Sequence, residues 1–272
     1  MFYIPGLIVV MLQGCYSIAQ VVRYPVSSTY IALTAYSYRH ADVFSISGNP
    51  ASLVKLKNSS VGIHTERRFL LNELNNYTVA AALVMKTGNF GFCGGYSGFP
   101  GFNEKQAGIT YSRKLAGNLD AGIHFNYYSI KIAGYGNAST VNFAIGYLLQ
   151  VTDKIQLGMQ AYNPFGGKFG NNLQEKVASK YSLGCGYEPS SNFFVSTEIE
   201  KEEDLPLCVK VGFHYQFHSQ IMVRAGIVSE SSIVFAGIGY IIKSFRIDVI
   251  TSYHPLLGIT PGILFLLNFK SE

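Results

Sequence analysis

Three histidines, His124, His214 and His218, fall in runs where apolar and polar residues alternate, each on the polar side. The same side carries Asp120, Glu198, Glu200, Lys210, Arg224, Arg246 and Asp248. Such residues could act as general acids and bases or hold a metal ion. Their spacing favours neither role. The run GGYSGF (94–99) lacks the spacing of a nucleophile elbow, and no HExxH occurs. The histidines are not grouped at ligand spacing. Cys93, Cys185 and Cys208 are scattered, without a CxxC pair or a disulfide framework. No enzyme activity, cofactor or metal is expected. The set reads instead as the paired-charge lining of a polar interior, with Asp120, His124, Lys210, His214, Arg224, Arg246 and Asp248 as its core members.

Three further stretches could bind something. ERRFLLNEL (66–74) joins Arg67 and Arg68 to an apolar tip, and a guanidinium fork suits a lipid phosphate or a partner carboxylate. NPFGGKFGNN (163–172) is rich in Gly and Asn and carries Phe165 and Phe169, the composition of an adaptable contact loop. EIEKEEDLP (198–206) gathers Glu200, Glu202, Glu203 and Asp204, either a solvated acidic loop or a place for bridging cations.

These residues need elements to position them, and the alternation supplies the elements. Leu119, Ala121, Ile123, Phe125 and Tyr127 oppose Asp120, Gly122, His124 and Asn126. Val209, Val211, Phe213, Tyr215 and Phe217 oppose Lys210, Gly212, His214, Gln216 and His218. About fourteen such period-two runs follow one another, beginning near 59, 76, 89, 105, 118, 139, 154, 177, 192, 206, 219, 231, 244 and 260. Short turns, as at Ala116-Gly117 and Lys243-Ser244, alternate with longer connections at 69–75, 99–104, 132–138, 163–176 and 201–205. Tyr127-Tyr128, Tyr162, Tyr187, Tyr215, Tyr240, Tyr253 and Phe269 stand near the ends of apolar faces, as an aromatic girdle would. The expectation is an all-β chain, a transmembrane barrel of about fourteen antiparallel strands over residues 59–272. In IVFAGIGYII (233–242), Gly237 and Gly239 could mark a kink in the wall, with Ile233 and Phe235 facing inward.

Composition agrees. Of 272 residues only 14% are charged, against about 25% in ordinary domains, while Tyr and Phe number 19 each and Gly 28. The net charge of +5 forms no basic stripe, so nucleic acid is not an expected partner. The first 19 residues lack Lys, Arg, Asp and Glu. They read as a signal peptide (1–19), cleaved after Ser17-Ile18-Ala19; a rival reading lipidates Cys15. Both export the chain. The terminal run LFLLNF places Phe265 and Phe269 on a lipid-facing closing strand, where they would carry an insertion signal.

Residues 20–58 lose the alternation. ADVFSISGNPASLVKL (41–56) offers Asn49 as a helix cap, Pro50 at the first helical position, and Ala51, Leu53, Val54 and Leu56 behind it. Asp42, Asn49-Pro50-Ala51 and Leu53, just before the first strand, resemble the start of FadL-type outer-membrane barrels. That group includes fatty-acid transporters and PorV/PorQ-like proteins. The resemblance implies a fourteen-stranded barrel in a bacterial outer membrane, with residues 20–58 as a plug. The short outer loops lean toward the PorV-like branch, which implies a subunit or docking partner of an envelope complex. A FadL-like channel for hydrophobic small molecules is the alternative. The partners so implied are outer-membrane lipid, lipopolysaccharide and envelope proteins.

Overall fold

The computed structural model describes residues 33–166, 177–230 and 232–269. The expected signal peptide and Phe169 lie outside these residues. Fourteen strands form one closed antiparallel barrel: β1 (Ser60–Arg67), β2 (Asn75–Leu83), β3 (Asn89–Phe99), β4 (Phe102–Ala116), β5 (Leu119–Ile132), β6 (Gly136–Gln150), β7 (Ile155–Tyr162), β8 (Lys180–Tyr187), β9 (Phe193–Glu202), β10 (Cys208–His218), β11 (Ile221–Val228), β12 (Ile233–Ile242), β13 (Phe245–His254) and β14 (Gly258–Asn268). Each strand pairs with its sequence neighbours, and β1 pairs with β14 to close the ring, with Ile63 opposite Phe265. Closure leaves no unpaired edge, which a hydrocarbon surrounding requires.

The two faces part as the alternation dictates. Ile63, Ile109, Phe125, Val249 and Phe265 point outward and are about half exposed, while His64, Thr110, Asn126, Asp248 and Leu264 are buried. Tyr127, Tyr187, Tyr215, Tyr240, Tyr253 and Phe269 are exposed near the barrel's two ends. Tyr128 and Tyr162 are not part of this girdle. They have inward parity and are buried with Ile130 and Ala144, because adjacent strand residues cannot share a face.

The rims also differ from the sequence reading. Turns of two residues join β3 to β4 and three join β5 to β6, where longer loops are expected. The strands run on instead: β4 and β6 have 15 residues and β5 has 14, whereas β1, β7 and β8 have 8. The wall is therefore tall along β4–β6 and low at β7–β8. Gly237 and Gly239 make no kink, since β12 keeps unbroken register with β11 and β13.

Residues 33–56 lie within the barrel as a hatch of three short 3-10 helices, Leu33–Tyr36, Val43–Ser47 and Pro50–Lys55. Local sequence explains their starts. The Asp42 carboxylate accepts a bond from Phe44 N at 3.0 Å and caps the second helix; the Asn49 carbonyl accepts from Ala51 N at 2.9 Å and caps the third, with Pro50 at its first turn. Tyr36, Val43, Asn49, Ala51 and Leu53 are fully buried.

Candidate functional site

The hatch is fitted to a wall of inward glycines. A β carbon at Gly122 would stand 2.5 Å from the Pro50 carbonyl carbon, and one at Gly91 2.6 Å from Leu53 Cδ1. At Gly146 it would collide with the Asn49 amide, and at Gly184 with the Tyr36 ring. These inward glycines therefore make room for the hatch residues. Polar bonds fix the fit. Asn49 Nδ2 donates to Met159 O at 3.0 Å, Ser112 Oγ to Pro50 O at 2.6 Å, and Asn89 Nδ2 to Leu53 O at 2.6 Å.

Charges from the wall complete the attachment. Arg246 Nη2 lies 2.6 Å from Asp42 Oδ2, with Arg224 Nη1 at 3.8 Å from the same oxygen and Asp248 at 3.1 Å from Arg246 Nε. Arg224 Nε donates to His214 Nδ1 at 3.0 Å, and the His214 ring lies 4.2 Å from that of His40. Lys55 pairs with Asp120 at 2.7 Å. Tyr36 donates its hydroxyl to Glu198, which Lys210 also contacts at 2.8 Å. At the short-turn rim Glu188 accepts from Ser37 Oγ and, at 2.7 Å, from Tyr38 N. Thus Asp120, Lys210, His214, Arg224, Arg246 and Asp248 all stand inside the barrel, several of them joined to the hatch.

Above the hatch lies a cavity of about 110 Å³, measured as the space open to the centre of a water molecule. Val43, Phe44 and Ile46 of the hatch form an apolar floor, and Ala80, Ile130 and Ala144 continue it up the wall. His124 lines the cavity but is fully engaged: Nδ1 lies 2.6 Å from Thr110 Oγ1, and Nε2 lies 2.6 Å from Asn126 Oδ1. Gln106, Gln160 and Tyr162 add neutral polar groups, while Arg68, Glu104 and Lys105 bring charge at the outer end.

Several sequence-based groupings come apart. Arg67 is exposed while Arg68 lines the cavity, so the two guanidinia do not form one fork. Left-handed backbone at Phe69 (φ 53°) and Leu70 (φ 59°) follows Arg68, and Phe69 N bonds Thr260 Oγ1 at 3.1 Å. Glu200 leaves the acidic loop for the lumen, between Lys180 at 3.2 Å and Lys210 at 2.7 Å. His218 is exposed, because a bulge between Gln216 and His218 shifts its parity. Phe165 projects from the loop after β7 and is 86% exposed. Phe265 and Phe269 face outward, and Phe269 N bonds Ser59 O at 2.8 Å. Gln160 escaped the sequence reading as a site residue; its inward parity was the only signal available.

No protein-family model matches the sequence, and no curated protein matches it. Solved structures do. The chain is similar to the CymD monoaromatic hydrocarbon channel, with 12% identity over 85% of this chain and 94% of that one and a TM-score of 0.66. The Pseudomonas putida toluene transporter TodX matches with 11% identity, 86% and 98% coverage and a TM-score of 0.66. A Pseudomonas aeruginosa FadL homologue matches with 12% identity, 90% and 98% coverage and a TM-score of 0.59. A closed fourteen-stranded barrel with an apolar outer face belongs in a bacterial outer membrane, and this chain has the fold of the FadL-type barrels found there.

Proposed function

We propose that the barrel is a channel for hydrophobic small molecules, whose path begins in the cavity above the hatch. The cavity itself carries the reading. It opens outward, it is lined by apolar groups at its base, and neutral polar groups stand among them, the mixture that small-molecule sites use. A porin for hydrophilic solutes keeps a wet lumen; here the lumen base is filled by Tyr36, Val43, Ala51 and Leu53. The likeness to channels named for monoaromatic hydrocarbons and toluene supports the same class of cargo.

The test is uptake of labelled toluene by a host with an intact lipopolysaccharide leaflet. Cells making the barrel should take it up faster than cells without it. Ala144→Trp, which fills the cavity from a wall position 1% exposed, should return uptake to the background rate while the barrel still assembles. Equal uptake with and without the protein would defeat the channel reading.

A docking role in an envelope complex of the PorV/PorQ-like kind is the second reading. It draws on exposed apolar tips at the outer rim, Tyr135 at 91%, Phe165 at 86% and Leu256 at 89%. Mild-detergent purification that yields the barrel alone would remove it.

A further inference from the structure

We infer that the cavity selects hydrophobic molecules bearing one neutral hydroxyl, phenols above all, through the side-chain amide of Gln160. The inference deepens the channel reading and rests on it. Gln160 projects inward from β7, lines the cavity and is only 8% exposed, yet its amide has no hydrogen-bond partner among the described residues. Two other polar groups of the lining differ, and the Nε2 of His64, unpartnered among the described residues, is sealed from the cavity. His124 has a partner on each ring nitrogen, and Gln106 Nε2 donates to Asn126 Oδ1 at 3.1 Å. Those groups are held by the wall itself, whereas the Gln160 amide is left to the cavity.

Because the cavity opens to solvent, water can reach the amide. A ligand that displaces the water must reproduce its bonds or leave a buried amide unpaired. An amide offers one acceptor oxygen and two N–H donors, and a hydroxyl both gives and accepts. A plain hydrocarbon can do neither. A carboxylate meets a different obstacle: Gln160 stands opposite Gly146 and Ser182, with Tyr162 two positions along its own strand, and none of these is a cation to receive it. Arg68 and Lys105 stand at the outer end, and Lys180, 5.8 Å over the Tyr162 ring, is already held by Glu200. Val43, Phe44 and Ile46 give the same cavity its apolar floor.

A matched series tests this: toluene, p-cresol and p-toluate share a ring and methyl group and differ only in the head. Binding is measured by equilibrium dialysis of the full barrel held in amphipol, against amphipol alone. We expect p-cresol to bind about tenfold more tightly than toluene, the effect of one good hydrogen bond, with p-toluate weakest. Gln160→Met, close in volume, should bring p-cresol down to the level of toluene and leave toluene within about twofold, the scale of a volume-conserving swap. Three results would overturn the inference: toluene binding as tightly as p-cresol, p-toluate binding best, or Gln160→Met weakening toluene and p-cresol alike. Toluene binding best would leave the channel reading standing; binding of none of the three would end both. The wild-type ranking alone decides the matter if the variant fails to fold.

Discussion

Removing the negative charge of Asp42 should loosen the hatch. Its carboxylate is 4% exposed, lies 2.6 Å from Arg246 and 3.8 Å from Arg224, and caps the helix that begins at Val43. Breaking a buried ion pair by deleting one partner costs about 3–5 kcal/mol. Arg246 keeps Asp248 at 3.1 Å, so the lower end applies. Asp42→Asn retains an oxygen for the cap and should cost docking about 3 kcal/mol. Asp42→Ala also loses the cap, for about 1 kcal/mol more. At about 1.4 kcal/mol per factor of ten, the undocked fraction should rise about a hundredfold and about a thousandfold respectively. Ser52 reports this, since it sits in the third hatch helix and is fully buried. With Ser52→Cys in a background lacking Cys93, Cys185 and Cys208, the rate of labelling by a water-soluble thiol reagent follows hatch opening. A heat-modifiability gel checks that the barrel stays closed. Labelling of Asp42→Asn within about threefold of the parent, well short of the shift a broken buried pair predicts, would refute the argument that this ion pair seats the hatch.

The same reporter tests the glycine wall. Gly184→Ala should raise labelling at least about tenfold by driving Tyr36 from its place, a fraction of the burial free energy of a whole aromatic side chain, whereas Gly117→Ala, whose β carbon would meet nothing within 4 Å, should leave it unchanged. At the closing strand, Phe269→Ala should slow barrel assembly in a heat-modifiability time course more than Phe265→Ala does, and equal rates for both variants and the parent would sink the proposal that Phe269 carries an insertion signal.

The barrel was legible because a strand exposes its periodicity in one dimension. Phe125 and Asn126 differ by one position, and that alone assigns them to lipid and lumen. The hatch was partly legible, since Asn49 and Pro50 carry a local capping signal. Its attachments were not. Asp42 and Arg246 are 204 positions apart, and nothing short-range links them. The hairpin heights are not legible in sequence because Pro100, Gly101 and Gly134 look like loop residues, yet each turn needs only two or three residues and the flanking strands pair right up to it. Parity also fails wherever the backbone departs from the pleat. The bulge at Gln216/His218 turns His218 outward, and the end of β1 separates Arg67 from Arg68. Gln160 was visible as an inward polar residue, but the lack of a partner is a property of space and leaves no trace in the sequence.

The glycine wall bears on how the molecule comes together. A strand with hydrogen atoms where side chains should be has little to hold its curvature, and glycine gains the most freedom when a sheet is not yet formed. Gly91, Gly122, Gly146 and Gly184 meet their nearest packing partners in residues 33–56, which precede β1 in the chain. The hatch thus works as a mandrel. Without the hatch these positions would present bare backbone to the lumen, so the shape of the interior is set by the segment that fills it.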